Sequence, residues 1–204
     1  MSTEEATIFI IDDDAAVRDS LAVLLSTTGL KVETYGSGEA FLDAWNPMQT
    51  GCILLDIRMP GISGLELLER LNASKNHIPV VIITGHGDVK IAVKAMKLGA
   101  VDFIEKPFKY EVIIGSIHDA LQREEQDRTR ELQLNSYLER LALLTERERQ
   151  IYDYLVQGDP NKVIAAKLEI SPRTVEIHRA HVMEKLQVRN LSQLVKLAIL
   201  TEVV

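Results

Sequence analysis

The chain has 204 residues, of which 46% are hydrophobic and 26% charged, so it is long enough for two globular domains and too apolar for a disordered protein. Its longest apolar runs, residues 8–11 and 80–83, are too short to cross a membrane, and its acidic start does not resemble a secretory signal. The single cysteine, Cys52, cannot form an internal disulfide, which fits a reducing compartment. We therefore expect a cytoplasmic protein with no membrane contact.

Charge is unevenly distributed along the chain, whose net charge is −7. Residues 1–125 contain 11 Lys/Arg against 19 Asp/Glu, whereas residues 138–204 contain 10 against 9. The acidic first part is suited to holding a cation, and the near-neutral second part can approach phosphate groups. The two parts therefore favour two different binding functions.

The first 120 residues alternate strand-like segments with segments of helical periodicity. The strand-like segments lie at residues 7–11, 31–35, 51–55, 80–83 and 102–104, and the apolar run at residues 8–11 is what a strand buried on both faces requires. Each is followed by a helical pattern, at residues 17–25, 39–45, 64–71, 88–97 and 111–121. This order predicts an α/β fold, a doubly wound five-stranded parallel sheet, with functional residues at the carboxyl ends of the strands.

The second part of the chain is predicted to be entirely helical. Residues 124–141 are charged and lack Gly and Pro, which favours a helical linker that continues the fifth helix. Thr145 and Glu148 form a capping box for the next helix, and Asp159-Pro160 is expected to cap a further one with Pro at its first helical position. Ser171-Pro172 repeats this pattern, and a last helix covers residues 191–200. Four short helices of this kind predict a helix-turn-helix domain.

Five polar residues follow strands of the predicted sheet. Asp12 and Asp13 follow the first strand, and Asp56 follows the third. Carboxylates this close repel one another unless a cation is bound, and an oxygen-rich cluster without histidine suits Mg²⁺. Thr84 and Lys106 follow the fourth and fifth strands, where a hydroxyl and an ammonium could contact phosphoryl oxygens. Singly, each has an ordinary structural explanation; together, at one edge of the sheet, they predict a functional site.

Four segments resemble the motifs of the receiver domain of two-component response regulators. They are residues 10–14 (IIDDD), 55–61 (LDIRMPG), 83–85 (ITG) and 105–108 (EKPF), and they place a receiver domain at residues 1–123. The resemblance implies that Asp56 is the phosphoacceptor and that the Lys106-Pro107 peptide bond is cis. It implies a Mg²⁺ site made of Asp12, Asp13, Asp56 and the backbone carbonyl of Arg58. It further implies phosphoryl contact and switch roles for Thr84, Lys106 and Phe103.

The helical part resembles the LuxR-type helix-turn-helix domain, at residues 142–204. The resemblance rests on residues 144–148 (LTERE), 161–165 (NKVIA) and 171–178 (SPRTVEIH). In the third helix, Val175, Val182 and Leu186 share a face that is expected to pack on the core. The DNA-binding residues are therefore predicted on the rest of the helix: Arg173, Thr174, Glu176, Ile177, Ala180 and His181, in a helix-turn-helix motif spanning about Asn161 to Ala180.

Together the two resemblances indicate a FixJ-like response regulator of the NarL/FixJ family. This implies phosphorylation by a sensor histidine kinase, a homodimer formed on phosphorylation, binding to double-stranded DNA, and contact with RNA polymerase. Such a protein assists its own phosphorylation but is not a turnover enzyme. One alternative is a Mg²⁺-dependent phosphatase with a carboxylate nucleophile, although it would usually carry a second acid where Arg58 stands. Another is a scaffold or DNA-binding module that does not depend on phosphorylation, in which the acidic pocket would be vestigial.

Overall fold

A computed structural model describes residues 6–73, 78–85 and 87–202 of the chain. The described residues divide into two compact units, with the boundary between Asp127 and Arg128. No helix within the described ranges is both long enough and apolar enough to span a membrane.

The first unit is built on five parallel strands, in the order β2-β1-β3-β4-β5. The strands are β1 (Thr7–Ile11), β2 (Lys31–Tyr35), β3 (Gly51–Leu55), β4 (Val80–Thr84) and β5 (Asp102–Glu105). The helices between them are α1 (Ala15–Ser26), α2 (Gly38–Ala44), α3 (Gly64–Ala73) and α4 (Val89–Lys97). The predicted doubly wound parallel sheet is confirmed, although β4 and β5 each extend one residue beyond the predicted end.

Apolar residues cover both faces of this sheet. On β1, Phe9 and Ile11 belong to one buried cluster, whereas Ile8 and Ile10 belong to another. Successive side chains of a strand point to opposite faces, so a wholly apolar strand requires helices on both sides of the sheet. The three central strands, β1, β3 and β4, are buried along their whole length. These three strands can therefore present polar groups to solvent only where they end.

Helix α5 (Tyr110–Ala142) is one continuous helix of 33 residues. Its first half buries Ile113 and Ile117 in the apolar core of the first unit. Its last turns bury Tyr137 and Leu141 in the core of the second unit. The predicted continuation of the fifth helix through the charged segment is confirmed.

The second unit adds four helices: α6 (Glu146–Val156), α7 (Asn161–Lys167), α8 (Pro172–Lys185) and α9 (Leu191–Glu202). The capping box of α6 forms as predicted, because Thr145 and Glu148 each bind the other's backbone N–H. Ser171 caps α8 and Pro172 occupies its first turn, also as predicted.

The expected start of α7 was wrong in detail. Pro160 is the N-cap residue itself and not the first helical residue, and no side chain caps this helix. The Asp159 carboxylate is engaged elsewhere, because it pairs with Lys167 at the other end of α7, at 2.6 Å. An ion pair with the C-terminal turn thus replaces the expected cap at the N-terminus.

Candidate functional site

The carboxyl ends of β1, β3 and β5 place two acids and a lysine in direct contact. The Lys106 ammonium donates to Asp12 Oδ2 at 2.6 Å and to Asp56 Oδ1 at 3.0 Å. Both carboxylates are buried, with exposures of 3% and 6%. The structure therefore joins three of the predicted site residues, which lie as far as 94 positions apart in sequence.

In this cluster two buried carboxylates share the single ammonium of Lys106. Burial raises the pKa of Asp56 above its ordinary value, and the Asp12 charge acts in the same direction while Lys106 opposes it. Burial alone would lower the pKa of Lys106, but its hydrogen bonds to Asp12 and Asp56 outweigh this and raise it. The pocket is thus an anionic site that an added cation would stabilise.

The donor set fits Mg²⁺, a hard cation that is usually bound by one or two carboxylates and keeps several waters. Within residues 6–73, 78–85 and 87–202, no three His, Cys, Asp or Glu side chains converge closely enough to enclose a metal. The two acids that do converge are Asp12 and Asp56, while Asp13 is exposed at the end of β1. The neighbouring Asp14 instead caps α1 by accepting from the backbone N–H of Ala16 at 2.9 Å.

The remaining predicted pocket residues lie on, or shortly after, β3, β4 and β5. Thr84, the last residue of β4, is only 1% exposed, and its carbonyl accepts from the backbone N–H of Lys106 at 2.8 Å. Phe103 is half-buried on β5 and packs against the apolar cluster on one face of the sheet. The backbone N–H of Arg58 donates to Asp56 Oδ2 at 2.6 Å. The Lys106-Pro107 peptide bond is cis.

Two residues outside the motifs hold the loops of the pocket. Arg18 on α1 donates to the Asp12 carbonyl at 2.6 Å. Glu39 on α2 accepts from the backbone N–H of Ile62 at 2.8 Å, which ties α2 to the loop after β3. No periodicity or motif in the sequence marked either residue, since a side chain that binds a distant backbone group leaves no local pattern.

Two glycines make this loop possible. Gly61 has φ +76°, and a Cβ there would meet the Glu39 carboxylate. Gly64 begins α3 against the Asp56 carbonyl, and a Cβ there would overlap that oxygen. Neither glycine of the segment that follows Asp56 can therefore be replaced by a larger residue without moving the backbone or its neighbours.

In the second unit, α8 buries the apolar face predicted for it. Val175, Val182 and Leu186 are fully buried. The residues predicted to contact DNA lie on the rest of α8, where Ile177 is 47% exposed despite being a large apolar residue. Thr174 is half-buried, and the other predicted contacts, Arg173, Glu176, Ala180 and His181, are exposed.

Several of these side chains already have partners. Arg173 pairs with Glu176 at 3.1 Å across one helical turn, so either group must change partner in order to meet a base or a phosphate. His181 Nδ1 lies 4.0 Å from a carboxylate oxygen of Glu148. Arg179 donates to Asn161 on α7 at 3.1 Å and so holds the two helices of the motif together.

Comparisons with known proteins match both units. Residues 8–118 match the family described as response regulator receiver domain, and residues 142–198 match the bacterial regulatory proteins of the luxR family. The chain is 50% identical over 200 residues to the transcriptional regulatory protein FixJ of Azorhizobium caulinodans, covering 98% of this chain and 95% of the relative.

Solved structures show the same similarity. The response regulator StyR is 41% identical, with a TM-score of 0.82 over 95% of this chain and 98% of that one. Full-length FixJ from B. japonicum is 46% identical, with a TM-score of 0.61 over 98% of both chains. The similarity therefore extends over both units and not over a single domain.

Proposed function

Because this chain belongs to the NarL/FixJ family of two-component response regulators, we propose that Asp56 accepts a phosphoryl group from a sensor histidine kinase. The chain is a transcriptional regulator with a receiver domain and a LuxR-type DNA-binding domain. The observation that supports the proposal is the Lys106 ammonium, which bridges Asp12 and Asp56 at the strand ends. The phosphatase alternative is not favoured, because the similarity to regulators covers nearly the whole chain.

In the proposed reaction, an Asp56 carboxylate oxygen forms a bond to phosphorus while the bond from phosphorus to the kinase histidine nitrogen breaks. Asp12, Asp13, Asp56 and the Arg58 carbonyl would hold Mg²⁺, which would neutralise charge on the phosphoryl oxygens. Lys106 is placed to bind a phosphoryl oxygen once Asp56 is modified, and the Thr84 hydroxyl is proposed to approach another. The chain assists its own modification and turns over no external substrate.

The test is labelling of the intact chain by acetyl phosphate and Mg²⁺. We expect one acid-stable, base-labile phosphoryl group, lost on chelation and absent in Asp56→Asn. Asp13→Asn should weaken Mg²⁺ binding and so raise the Mg²⁺ concentration that labelling requires, whereas Asp14→Asn, which keeps a capping oxygen, serves as the matched control. Labelling that persists in Asp56→Asn would contradict the assignment of the phosphoacceptor.

We further propose that phosphorylation produces a homodimer that binds an inverted repeat in double-stranded DNA. Helix α4 supports this, since Val89 and Val93 are 76% and 48% exposed on it and offer an apolar surface to a second copy. A switch through Thr84 and Phe103 would reach this helix, because β4 and β5 flank it in sequence. Val89→Asp should keep the phosphorylated chain monomeric in sedimentation. A dimer that persists in this variant would argue for a different surface.

The proposed DNA interface is the face of α8 that carries Arg173, Glu176 and Ile177. Exposure of an isoleucine beside charged groups suits contact with thymine methyl groups in the major groove. Contact with RNA polymerase and action in the cytoplasm belong to the same proposal, since a transcription regulator works on chromosomal DNA. Footprinting of the phosphorylated chain on genomic DNA tests it: protected inverted repeats are expected, and uniform, sequence-independent protection would contradict it.

A further inference from the structure

The last turns of α5 belong physically to the DNA-binding unit. Tyr137 is fully buried there, and its hydroxyl lies 3.2 Å from that of Tyr152 on α6. Leu141 lies one turn further along the same face and is 9% exposed. A linker that served only to space two domains would have no reason to place a tyrosine in the core of one of them.

This end of α5 also contacts the end of α8. Arg140 Nη1 donates to the side-chain oxygen of Gln187 at 2.6 Å. Lys185 donates to the Leu143 carbonyl, directly after α5, at 3.3 Å. The same ammonium pairs with the buried Glu148 carboxylate at 2.6 Å. Two contacts from separate residues therefore fix the C-terminal end of α8 against α5.

The backbone at Gln187 supports a specific role for this contact. Gln187 has φ +54°, a conformation that usually calls for glycine directly after a helix. A side chain in this region is strained and persists where its surroundings hold it. Glycine would remove the strain but could not bind Arg140. The residue present is one that can reach the linker.

We propose that Arg140 and Gln187 form a clamp that sets the angle of α8, so that the end of the linker helix is a positioning element for base recognition. Helix α8 is also held by Val175 and Val182 in the core, by the buried Leu186 directly after it, and by the bond from Arg179 to Asn161. Without the clamp, α8 would still fold and pack, but its base-reading face would be less well placed. Phosphate contacts tolerate small displacements better than base contacts do, so discrimination between DNA sequences should suffer most.

The inference rests on the proposed DNA-binding face and is tested by a double-mutant cycle in the full chain. Arg140→Met keeps the aliphatic stem and removes the donor. Gln187→Asn tolerates the same backbone conformation but is too short to reach Arg140. The probes are a duplex selected from a random library by the phosphorylated wild-type chain, and bulk genomic DNA as the non-specific competitor.

Each single variant should lower the ratio of selected to bulk DNA affinity by about twofold to fivefold, a range set by an exposed hydrogen bond to a charged group. The double variant should lose no more than the more affected single variant. Glu139→Gln, an exposed neighbour on α5, should leave the ratio unchanged. The proposed clamp would be contradicted if the losses of the two single variants multiplied in the double variant. It would also be contradicted if each variant lost equal affinity for the selected and the bulk DNA.

Labelling of Asp56 is measured on every variant. Lost labelling would reveal a defect in the phosphorylation step, which is separate from a loss of sequence discrimination. Absence of any selected duplex for the wild-type chain would contradict the proposed DNA interface and not the clamp alone.

Discussion

The acidic pocket and the face of α8 are two sites built on opposite principles. In the pocket, Asp12, Asp56 and Lys106 directly follow three different strands and are largely buried, and Lys106 contacts both acids within 3.0 Å. On α8, Arg173 and Ile177 come from one helix and are exposed, and Arg173 pairs with Glu176 on the same helix. The pocket is therefore defined by interactions between separate elements, whereas the proposed DNA-binding face is the surface of a single helix.

This difference predicts how substitutions behave. A change in the pocket should alter chemistry and folding stability together, because the same contacts serve both. A change on the helix face should alter binding while leaving folding nearly untouched. Five variants test this contrast, beginning with the one expected to have the largest effect.

Lys106→Met should have the largest effect. It removes the donor to both carboxylates, and loss of one such group from a reacting centre typically costs about 100- to 1000-fold in rate. The rate of labelling by acetyl phosphate measures this. Lys109→Met, an exposed lysine three residues on, is the matched control. A labelling rate that stays near wild type would show that the bridge is structural only.

Ile177→Ala should separate binding from folding on the helix face. Loss of an apolar base contact should weaken binding to a selected duplex by about 1–3 kcal/mol. The free energy of unfolding should change by no more than about 0.5 kcal/mol, because the side chain is half exposed. Urea unfolding and DNA titration on the same preparation measure both quantities. A large loss of stability would mean that Ile177 packs inside the domain.

Glu148 should make the stability of the DNA-binding unit depend on pH. The hydrogen bond from Lys185 lowers the pKa of Glu148 to about 2, from an ordinary value near 4.5. An acid with a lowered pKa stabilises the fold above its ordinary pKa, and that stabilisation is lost as the pH falls from about 4.5 to 2.

Glu148→Gln should therefore flatten the acid limb of the unfolding curve and cost about 2 kcal/mol at neutral pH, since it weakens a buried charged hydrogen bond. Unfolding by urea from pH 2 to 7, followed by far-ultraviolet circular dichroism, tests this. Glu146→Gln, an exposed acid in the same first turn, should leave the curve unchanged. If Glu146→Gln has the same effect, the cause is the helix dipole and not the contact with Lys185.

Asp56→Asn should stabilise the receiver unit. Burial raises the pKa of Asp56. Its contribution to folding stability is therefore fully present below the ordinary pKa of an aspartate, and it is lost as the pH rises through the raised pKa. At neutral pH and without Mg²⁺ the Asp56 carboxylate therefore opposes folding. Replacing it with the amide should raise the free energy of unfolding by about 1 kcal/mol. Saturating Mg²⁺ should reduce this difference, because it stabilises the wild type selectively. A destabilised Asp56→Asn chain would contradict the electrostatic reasoning.

Glu39→Ala should have the smallest effect, and it tests whether the loop after β3 contributes to Mg²⁺ binding. It frees the loop after β3 without touching Asp56, so Mg²⁺ affinity should fall by about twofold to fivefold, as expected for one exposed hydrogen bond. Trp45 fluorescence can follow the titration. Glu39→Gln retains an acceptor and should restore most of the affinity. Equal losses in both variants would assign the effect to charge.

Much of the fold was predictable because it depends on local pattern. The apolar strands and the caps at Thr145 and Ser171 are visible in the residues themselves. The approach of Asp12 and Asp56 was predictable because parallel strands end at one edge of a sheet, whereas Asp13, predicted with them, is exposed. The linker was predicted as a helix from its composition, but that composition says nothing about which residues are buried.

What escaped prediction depends on distant contacts. Arg18 and Glu39 bind backbone groups of other segments, which no spacing rule encodes. Glu148 was recognised as a capping residue, while its second role, binding Lys185 across 37 residues, required the tertiary structure. Asp159 was predicted to cap α7, and that prediction was wrong because its ion pair with Lys167 forms only when α7 is folded.

Cys52 on β3 has a consequence for measurement. It is the only cysteine of the chain, it is fully buried, and burial raises its pKa to about 12. A folded chain should therefore resist alkylation, and the thiol should react only when the receiver sheet opens. The alkylation rate counts these openings in the receiver alone, because the helical unit carries no thiol. Alkylation of this one native thiol thus measures how often the receiver opens within a two-domain protein, with no label attached.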